Sequence, residues 1–494
     1  MTTISPTQGT ISSAGIGSGL NVNSIISSLM AVESLPLTAL QAKATNLQTD
    51  LSAFGQVQSL VSSVQDAAKT LFNPDSFKLT NTSSTDPTSV SAATTTGAVG
   101  GIYAVSVSAL SAGQSLVSPT GQYADSTSVV GTGSLTIQLG SWNAGNTTFT
   151  PGSGTAVTVP IGASSNTLAG VAAAINAANG GVTASVVTDA SGARLALQSS
   201  ATGAANGFRV TVADDDGNNT DAAGLSRLAY DPQNSAGQMT LAQSAANAQA
   251  TINGIAVTSS SNTLSGVIGG ITFNLGKTTT QPVTVNVTPN TTAIQSDVQA
   301  FVSAFNALNS FLATETKYDP TTSTAAPLQG DSTAVSIQNQ MHSLISQVTG
   351  ASSTFSTLSS LGVQLQTDGS LNLDATTFNN ALSNLPELTK ALSNTDATTA
   401  SNNGFGKKFY DWTTSMLSFG GTLPGKTASI QASITSNQKD QDALNTQLAA
   451  TQARLQAQYT ALDSTMSQAN ALAAYVQQQF YTKSSFGSSG SSSN

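Results

Sequence analysis

The residues best suited to chemistry lie in one acidic loop. Asp214, Asp215 and Asp216 are followed by a glycine and two asparagines, and Asp221 comes shortly after. Clustered carboxylate and amide oxygens are the ligands that Ca²⁺ prefers. An EF-hand register would need an acidic residue where Val212 stands, and no glutamate closes the loop. The pattern therefore favours a polar turn over a calcium site.

Other catalytic chemistry finds little support in the residue types. The chain has one histidine and no cysteine, which excludes multi-histidine metal sites, disulfides and thiol chemistry. His342, in QNQMHSLI, is predicted to be one polar residue on a helix, and no GxSxG elbow occurs. The 24 acidic residues leave a carboxylate pair for glycoside hydrolysis open, but none has a recognisable context. Trp142 is either an exposed contact residue or part of a core. We predict no active site, no metal, no cofactor and no enzyme.

Composition narrows the class of partner. Only 8% of the residues are charged, the net charge is −9, and Lys and Arg form no cluster. Nucleic acid and anionic membranes are therefore unfavourable partners. No window approaches the roughly 20 consecutive apolar residues of a membrane span, so no membrane insertion is expected. The first residues show no basic patch followed by an apolar core, so any export is expected to proceed without a cleaved signal peptide.

The elements that organise the chain are helices near its two ends. Residues 426–480 contain no glycine or proline, and apolar residues recur there at seven-residue spacing, which is typical of a coiled coil. That series consists of Ile434, Leu448, Leu455, Leu462, Ala469 and Val476. Polar residues interrupt the stripe at Asn437, Gln441, Thr451, Gln458 and Thr465. Such a helix needs a partner.

Two helices are predicted near the N-terminus. Asn23 or Ser24 would cap a short one that runs through Glu33, and Pro36 would open a second. The second carries a cleaner heptad pattern from residue 37 to 71 and stops at Asn73 and the following proline. Either it pairs with the long helix or each packs in its own domain. We expect it to pack with helices after residue 289 and with the first part of the long helix. The later part, from about Leu455, would then pair with the short helix around Ile25 and Met30 or with a partner outside the subunit.

The middle of the chain changes character. Residues 77–289 alternate apolar and polar residues between turns rich in Gly, Asn, Asp and Ser, which predicts β structure with one helix over 167–178. SSNTLAGV at 164–171 recurs as SSNTLSGV at 260–267. Helices return over 297–316 and 332–348, followed by a hairpin that turns at Asp368 and Gly369 and a helix capped by Asp374. The predicted fold class is α+β and multidomain: both ends form a coiled-coil or helical-bundle leg, and mostly-β head domains are inserted between them.

Several blocks of sequence resemble the bacterial flagellar filament cap family, also called the hook-associated protein 2 family. They are GIGSGLNVNSIISSLMAVESLPLTALQAK near the start, FVSAFNALNSFLATETKYDPTTSTAAPLQGDSTAVSIQNQM, and LGVQLQTDGSLNLD. The stretch from GSLTIQLG to ATGAANGF is similar to a module shared by flagellins and hook-associated proteins. The resemblance covers nearly the whole chain up to residue 480.

This resemblance implies a ring-shaped homo-oligomer, usually a pentamer, at the distal end of the filament. It also implies that flagellin, the flagellar export apparatus and an export chaperone are partners, and that the protein is secreted to the filament tip. The expected domains are a leg segment (1–36), a helical domain (37–76 with 290–425), an inner β domain (77–105 with 246–289), an outer β domain (106–245), a coiled-coil leg (426–480) and a disordered tail (481–494).

The candidate contact residues for the oligomer or the filament lie on the two leg helices. They are Ile25, Ile26, Leu29, Met30, Leu448, Leu455, Tyr459, Leu462 and Met466. Two alternatives to a cap remain: an adhesin-type module whose Ser/Thr/Asn-rich β region binds host glycans, and a hook–filament junction protein. The polar gaps in the long helix suggest weak, reversible packing, so leucine at Gln441, Thr451 and Gln458 should impair filament growth.

Overall fold

The computed structural model describes residues 21–485, with side chains up to residue 481. The chain divides into two compact units, one made of Met1–Phe72 with Ser296–Asn494 and the other of Asn73–Gln295. The helices of the described part are α1 (Val22–Glu33), α2 (Leu35–Phe72), α3 (Leu168–Ala178), α4 (Thr291–Glu315), α5 (Ser332–Ile345), α6 (Ala375–Leu382), α7 (Leu385–Ser393), α8 (Phe405–Leu417) and α9 (Thr422–Ser485).

The strands of the described part come mostly from the second unit. They are β1 (Thr80–Ser84), β2 (Val90–Thr94), β3 (Gly101–Ala109), β4 (Ser115–Val117), β5 (Gly133–Trp142), β6 (Phe149–Pro151), β7 (Val157–Ile161), β8 (Val182–Asp189), β9 (Gly192–Ser199), β10 (Gly207–Asp214), β11 (Tyr230–Asp231), β12 (Ala236–Gly237), β13 (Thr240–Gln243), β14 (Ala248–Ile252), β15 (Ile255–Ser259), β16 (Thr263–Ile268), β17 (Ile271–Leu275), β18 (Val283–Pro289), β19 (Tyr318–Asp319), β20 (Thr324–Ala325), β21 (Val363–Leu365) and β22 (Leu371–Leu373). The predicted α+β class, with helical ends and a sheet-rich middle, is confirmed.

The first unit is a helical bundle around α2, which packs on α7, α8 and α9. Its second half presents a buried apolar stripe at the predicted spacing of three and four: Phe54, Val57, Val61, Val64, Ala68 and Leu71. A cluster of aromatic rings completes this core, because Phe409 of α8 contacts Phe301 and Phe305 of α4 edge-on. The hairpin β21–β22 turns at Asp368 and Gly369 as predicted, and Asp374 caps α6.

Several predicted boundaries of the terminal helices were wrong by a few residues. Asn21, not Asn23 or Ser24, caps α1, because its side-chain oxygen accepts a hydrogen bond from the Ser24 backbone at 3.1 Å. The long helix begins at Thr422 and continues to Ser485. Residues 481–485 of the predicted disordered tail are therefore helical. The remainder of that tail, and the predicted flexible lead-in over residues 1–20, lie outside the described residues.

The second unit is built from four antiparallel sheets. Their strand orders are β1-β18-β3-β14-β15, β12-β11-β10-β5 with β6 and β7 both paired to β5, β13-β4-β9-β8, and β16-β17-β2. Two hydrophobic cores serve them, one formed between residues 116 and 239 around α3, the other formed by residues 90–107 and 248–287. The separation of inner and outer β domains near residues 105 and 245 stays a prediction.

None of the described helices is by itself long and apolar enough to cross a bilayer. The helices α1 and α2 meet the length and composition requirement only as a pair, and that pair is bent by 45°.

Candidate assembly interface

The first half of α9 packs antiparallel on α2. The Lys426 ammonium lies 5.2 Å from the centre of the Phe54 ring, whereas the Gln441 side chain reaches the Leu40 carbonyl at 3.5 Å, so the residue numbers run in opposite directions. The residues of α9 on the covered face recur at spacings of four and three, as expected for a coiled-coil seam. Its members are Ile430, Ile434, Asn437, Gln441, Leu444, Leu448, Thr451 and Leu455.

A polar layer interrupts this seam. Asn437 is 2% exposed, and its Oδ1 accepts a hydrogen bond from Gln441 Nε2 at 2.6 Å. Its own Nδ2 is buried and has no hydrogen-bond partner. A buried donor without a partner is destabilising because its lost hydration is not replaced. The α2–α9 pair is therefore weaker than an all-leucine seam would be.

An ionic cluster anchors the start of α9. Lys426 Nζ lies 2.6 Å from Asp331 Oδ2, and the other Asp331 oxygen caps α5 by accepting from the Thr333 and Ala334 amides. Burial alone would raise the pKa of Asp331, but the hydrogen bonds from Lys426 and from the two amides hold that pKa below its ordinary value. Burial, with Asp331 as a second cause, raises the pKa of Asp50 on α2. The charges thus fix where α9 begins on the bundle.

Helix α1 packs on α9 and on the start of α2. Among the predicted contact residues of α1, Ile26 is buried, Ile25 and Met30 are half-buried, and Leu29 is exposed. Val32 and Leu35, which follow on the chain, are 66% and 63% exposed. Sequence reasoning passed over these two apolar residues, although their position beside the predicted set was a usable signal.

The stripe of α9 changes course after Leu455. The next half-buried residues are Tyr459, Asp463 and Met466, so the spacing becomes four, four and three. An ideal α-helix drifts from a strict seven-residue repeat, and this drift accounts for the change of spacing. Of the predicted contact residues of α9, Leu448, Leu455, Tyr459 and Met466 are half-buried, whereas Leu462 is 46% exposed.

The prediction that Gln458 and Thr465 interrupt the packed stripe was wrong. Both side chains are exposed, because the stripe has moved to Tyr459 and Met466. Asn437, Gln441 and Thr451 do lie in it. The seven-residue series continues through Leu462 and Val476, but on the solvent side of the helix.

Beyond Met466, every described side chain of α9 is exposed up to residue 481. Large apolar residues are among them: Leu472 at 65%, Tyr475 at 58%, Val476 at 44% and Phe480 at 70%. A helix with apolar side chains in water ordinarily buries them against another element. This part of α9, residues 467–481, is here named the distal segment.

The acidic loop serves as a turn. Asp214 Oδ2 accepts from the Ser226 amide at 2.9 Å, and Asp216 Oδ1 accepts from the Asn218 amide at 2.9 Å. Across residues 21–485 no group of three or more His, Asp or Glu side chains could hold a metal ion. His342 lies on α5, where its Nε2 is 3.2 Å from Asn309 Oδ1.

Trp142 is a core residue rather than an exposed contact. Its indole N–H donates to the Phe208 carbonyl at 3.1 Å, and its ring lies 4.8 Å from Phe149 and 5.6 Å from Tyr230.

Three family models match the chain. The N-terminal model of flagellar hook-associated protein 2 matches residues 18–114, its C-terminal model matches residues 245–471, and the flagellin hook IN motif matches residues 143–201. The third match lies within the stretch predicted to resemble a module shared with flagellins.

Curated proteins of the same name are similar along nearly their whole length. Flagellar hook-associated protein 2 of Escherichia coli K12 is 33% identical over 485 residues, covering 96% of this chain and 99% of that protein. The A-type protein of Pseudomonas aeruginosa is 29% identical over 482 residues, covering 92% and 94%.

A solved structure shares the fold. The crystal structure of the flagellar cap protein FliD domains D1-D2-D3 from Escherichia coli matches with a TM-score of 0.59 and 31% identity, covering 77% of this chain and 99% of that one. On the strength of identity, coverage and fold together, the chain belongs to the flagellar hook-associated protein 2 family.

Proposed function

We propose that this protein caps the distal end of the flagellar filament as a ring of identical subunits, a pentamer in our prediction. There it retains exported flagellin and promotes its folding and insertion. One observation carries the mechanism: the apolar side chains of the distal segment are exposed on the last part of the described helix α9. The similarity to a structure described as a flagellar cap protein supports the same role.

The contacts would be made by the leg helices. The exposed residues Leu29 and Leu462, from the predicted contact set, join Val32, Leu35 and the distal segment as the surface that meets neighbouring subunits or the filament. The half-buried members of that set support this surface from inside the α1–α9 contact. The work is mechanical, since insertion of each flagellin requires these contacts to break and reform.

The remaining partners follow from the same role. Export through the flagellar apparatus with the help of a chaperone, and residence at the filament tip, belong to this proposal. Binding of host glycans by the β region and a place at the hook–filament junction are the alternatives, and neither is favoured by the relatives, which share the name hook-associated protein 2.

A double substitution in the distal segment tests the proposal. Leu472→Gln with Val476→Gln removes two exposed apolar side chains from one face of α9, so the folded subunit should keep its stability while rings and filament growth are lost. Ala474→Gln, exposed on the opposite face, is the matched control. Rings are counted by electron microscopy and growth by complementation of a strain that lacks its cap. Normal rings and filaments from the double variant would contradict the proposal.

A further inference from the structure

The sheets of residues 73–295 protect most of their outer edges. An unpaired edge offers N–H and C=O groups to any extended chain, and proteins guard it with proline, a bulge, charge or cover. β6 and β7 contain Pro151 and Pro160. β13 and β16 are irregular in register against their partners, and β12 has only 2 residues. These five edge strands are therefore poorly suited to pair with an incoming extended chain.

Side chains cover three further edges. On β8, Asn176 Nδ2 donates to the Ala184 carbonyl at 2.8 Å while Asn176 Oδ1 accepts from the Ala184 amide at 2.7 Å, so one amide stands in for a neighbouring strand. β1 and β2 cover each other, since Thr82 Oγ1 donates to the Ala92 carbonyl at 2.8 Å and Thr94 Oγ1 to the Thr80 carbonyl at 3.2 Å.

The edge strand β15 has none of these devices. Its sequence, IAVTS, contains no proline and no charge, and residues 232–276 around it contain no Asp, Glu, Lys or Arg. Its five residues pair with β14 in unbroken register. Within the described part of the chain, no side chain or backbone group bonds to its outer edge.

The hydrogen-bonding direction identifies the open groups. The two-residue turn Asn253-Gly254 joins β14 to β15, and the Asn253 amide donates to the Ala104 carbonyl on β3 at 2.8 Å. Odd-numbered residues of β14 therefore bond towards β3, and even-numbered ones towards β15. On β15 the backbone groups of residues 255 and 257 are used by β14, so those of Ala256 and Thr258 point outwards.

The strand is both accessible and fixed. Val257 packs against the core of its sheet, whereas Ala256 and Thr258 are exposed and Ile255 is 71% exposed. An incoming chain would meet a preformed ladder of two N–H and two C=O groups without reordering the protein.

We propose that the outer edge of β15 binds an extended, uncharged segment of another polypeptide by strand addition. A strand of five residues is about 17 Å long. The surface it can bury is far below the roughly 1,600 Å² of a stable protein–protein interface, so a permanent contact with a second copy is not its purpose. Four backbone hydrogen bonds are suited to weak, transient binding of a chain that has not yet folded. The choice of an incoming, unfolded flagellin segment as occupant rests on the proposed function.

The binding test uses the full-length protein and a defined probe. The probe is a fluorescein-labelled, end-blocked peptide of seven alternating Thr and Val residues, and its control is the same peptide with alternate amides N-methylated. We expect saturable binding by fluorescence anisotropy, at least about fivefold weakened by N-methylation because each lost hydrogen bond is worth about that factor. Hydrogen exchange should slow at Ala256 and Thr258. Absence of saturable binding, or slowing at another strand, would overturn the proposal.

Variants of the edge complete the test. Ala256→Pro removes an outward N–H without touching the β14 ladder, and Thr258→Lys places a charge on the edge. Each should weaken peptide binding at least about fivefold. Gln249→Lys, which adds the same charge at an exposed position on the inner strand β14, should bind the peptide normally. Thr258→Lys keeps the test decisive if the proline variant does not fold.

The outcomes separate this site from the proposed function. Equal peptide binding by Thr258→Lys and Gln249→Lys would overturn strand addition. A second result would also overturn it: sedimentation shows that the protein is a dimer, and Thr258→Lys abolishes the dimer whereas Gln249→Lys does not. If the protein fails to support filament growth but binds the peptide at β15, the cap function fails and the binding edge stands.

Discussion

Replacing Asn437 with leucine should stabilise the α2–α9 pair and slow filament growth. The side chain is 2% exposed, its Oδ1 accepts one hydrogen bond at 2.6 Å, and its Nδ2 has no partner. Leucine removes a buried, unsatisfied donor that costs about 1–3 kcal/mol, adds apolar burial, and loses one hydrogen bond worth about 1 kcal/mol. We therefore expect the free energy of unfolding of the first unit to rise by about 1–3 kcal/mol.

The measurement needs a signal from the first unit alone. In a Trp142→Phe background, Trp412 on α8 is the one tryptophan of the chain, and its fluorescence reports this unit during urea denaturation. Gln458→Leu is the control: its side chain is exposed, so its stability should stay within about 0.5 kcal/mol of the parent. Filament length is then compared in complemented cells.

Two results would refute the reasoning. If Asn437→Leu lowers the unfolding free energy by more than about 1 kcal/mol, the polar layer stabilises the pair rather than weakening it. If the variant is more stable and filaments still grow at the normal rate, reversible packing of this seam is not what insertion requires.

Three further predictions concern stability. Hydrogen bonds from Lys390 and from serines beside it in the fold lower the pKa of Glu387 from 4.5 to about 2. The first unit should therefore lose stability as the pH falls from about 4.5 to about 2, and Glu387→Gln should reduce that loss in urea titrations. A pH profile of the variant that runs parallel to that of the parent protein would contradict this. Phe54→Ala should lower the unfolding free energy by about 3–5 kcal/mol in the same assay, because the ring is fully buried. Phe419→Ala, at a fully exposed ring, should change it by less than about 0.5 kcal/mol. Similar losses in the two variants would show that burial of the ring does not determine the loss of stability. Thr167→Ala removes the cap of α3 and should cost the second unit about 1 kcal/mol, and Thr167→Ser should restore that stability. The signal is Trp142 fluorescence in a Trp412→Phe background, and failure of serine to rescue would exclude the capping bond as the cause.

Periodicity was sufficient to predict the helices and their approximate partners. The apolar stripe of α2 from Phe54 to Leu71 is buried as its spacing required. The cap of α1 was misplaced because asparagines stand at both 21 and 23, and sequence alone does not say which one faces a free amide. The course of the α9 stripe after Leu455 depends on which helix lies opposite, which is a tertiary property.

The repeated octapeptide shows the limit of local sequence most directly. SSNTLAGV enters α3, with Thr167 as its cap, whereas SSNTLSGV becomes strand β16. The first copy is followed by AAAINAA, which favours a helix, and the second by a turn at Gly269 and Gly270 that returns the chain to β17. The leucine of the octapeptide is buried in both copies, as Leu168 in the first and as Leu264 in the second.

Parts of the candidate interface depended on three-dimensional facts. The exposure of Val32 and of the distal segment, and the lack of a partner for Asn437 Nδ2, depend on how the helices pack in three dimensions. No residue pattern states that β15 is an outer strand, because strand order is set by pairings between distant segments.

The nested arrangement has a consequence for the order in which the molecule can fold. Asn73–Gln295 is one uninterrupted stretch, but the first unit cannot be completed until α2 meets α8 and α9, more than 300 positions further along the chain. Contacts of such high sequence separation form slowly because a long loop must close first. Strands β1 and β18 pair Thr80 with Pro289, so formation of the second unit brings the two flanking segments together. Once the β insert has folded, a much shorter effective loop has to close before the helices of the leg contact one another.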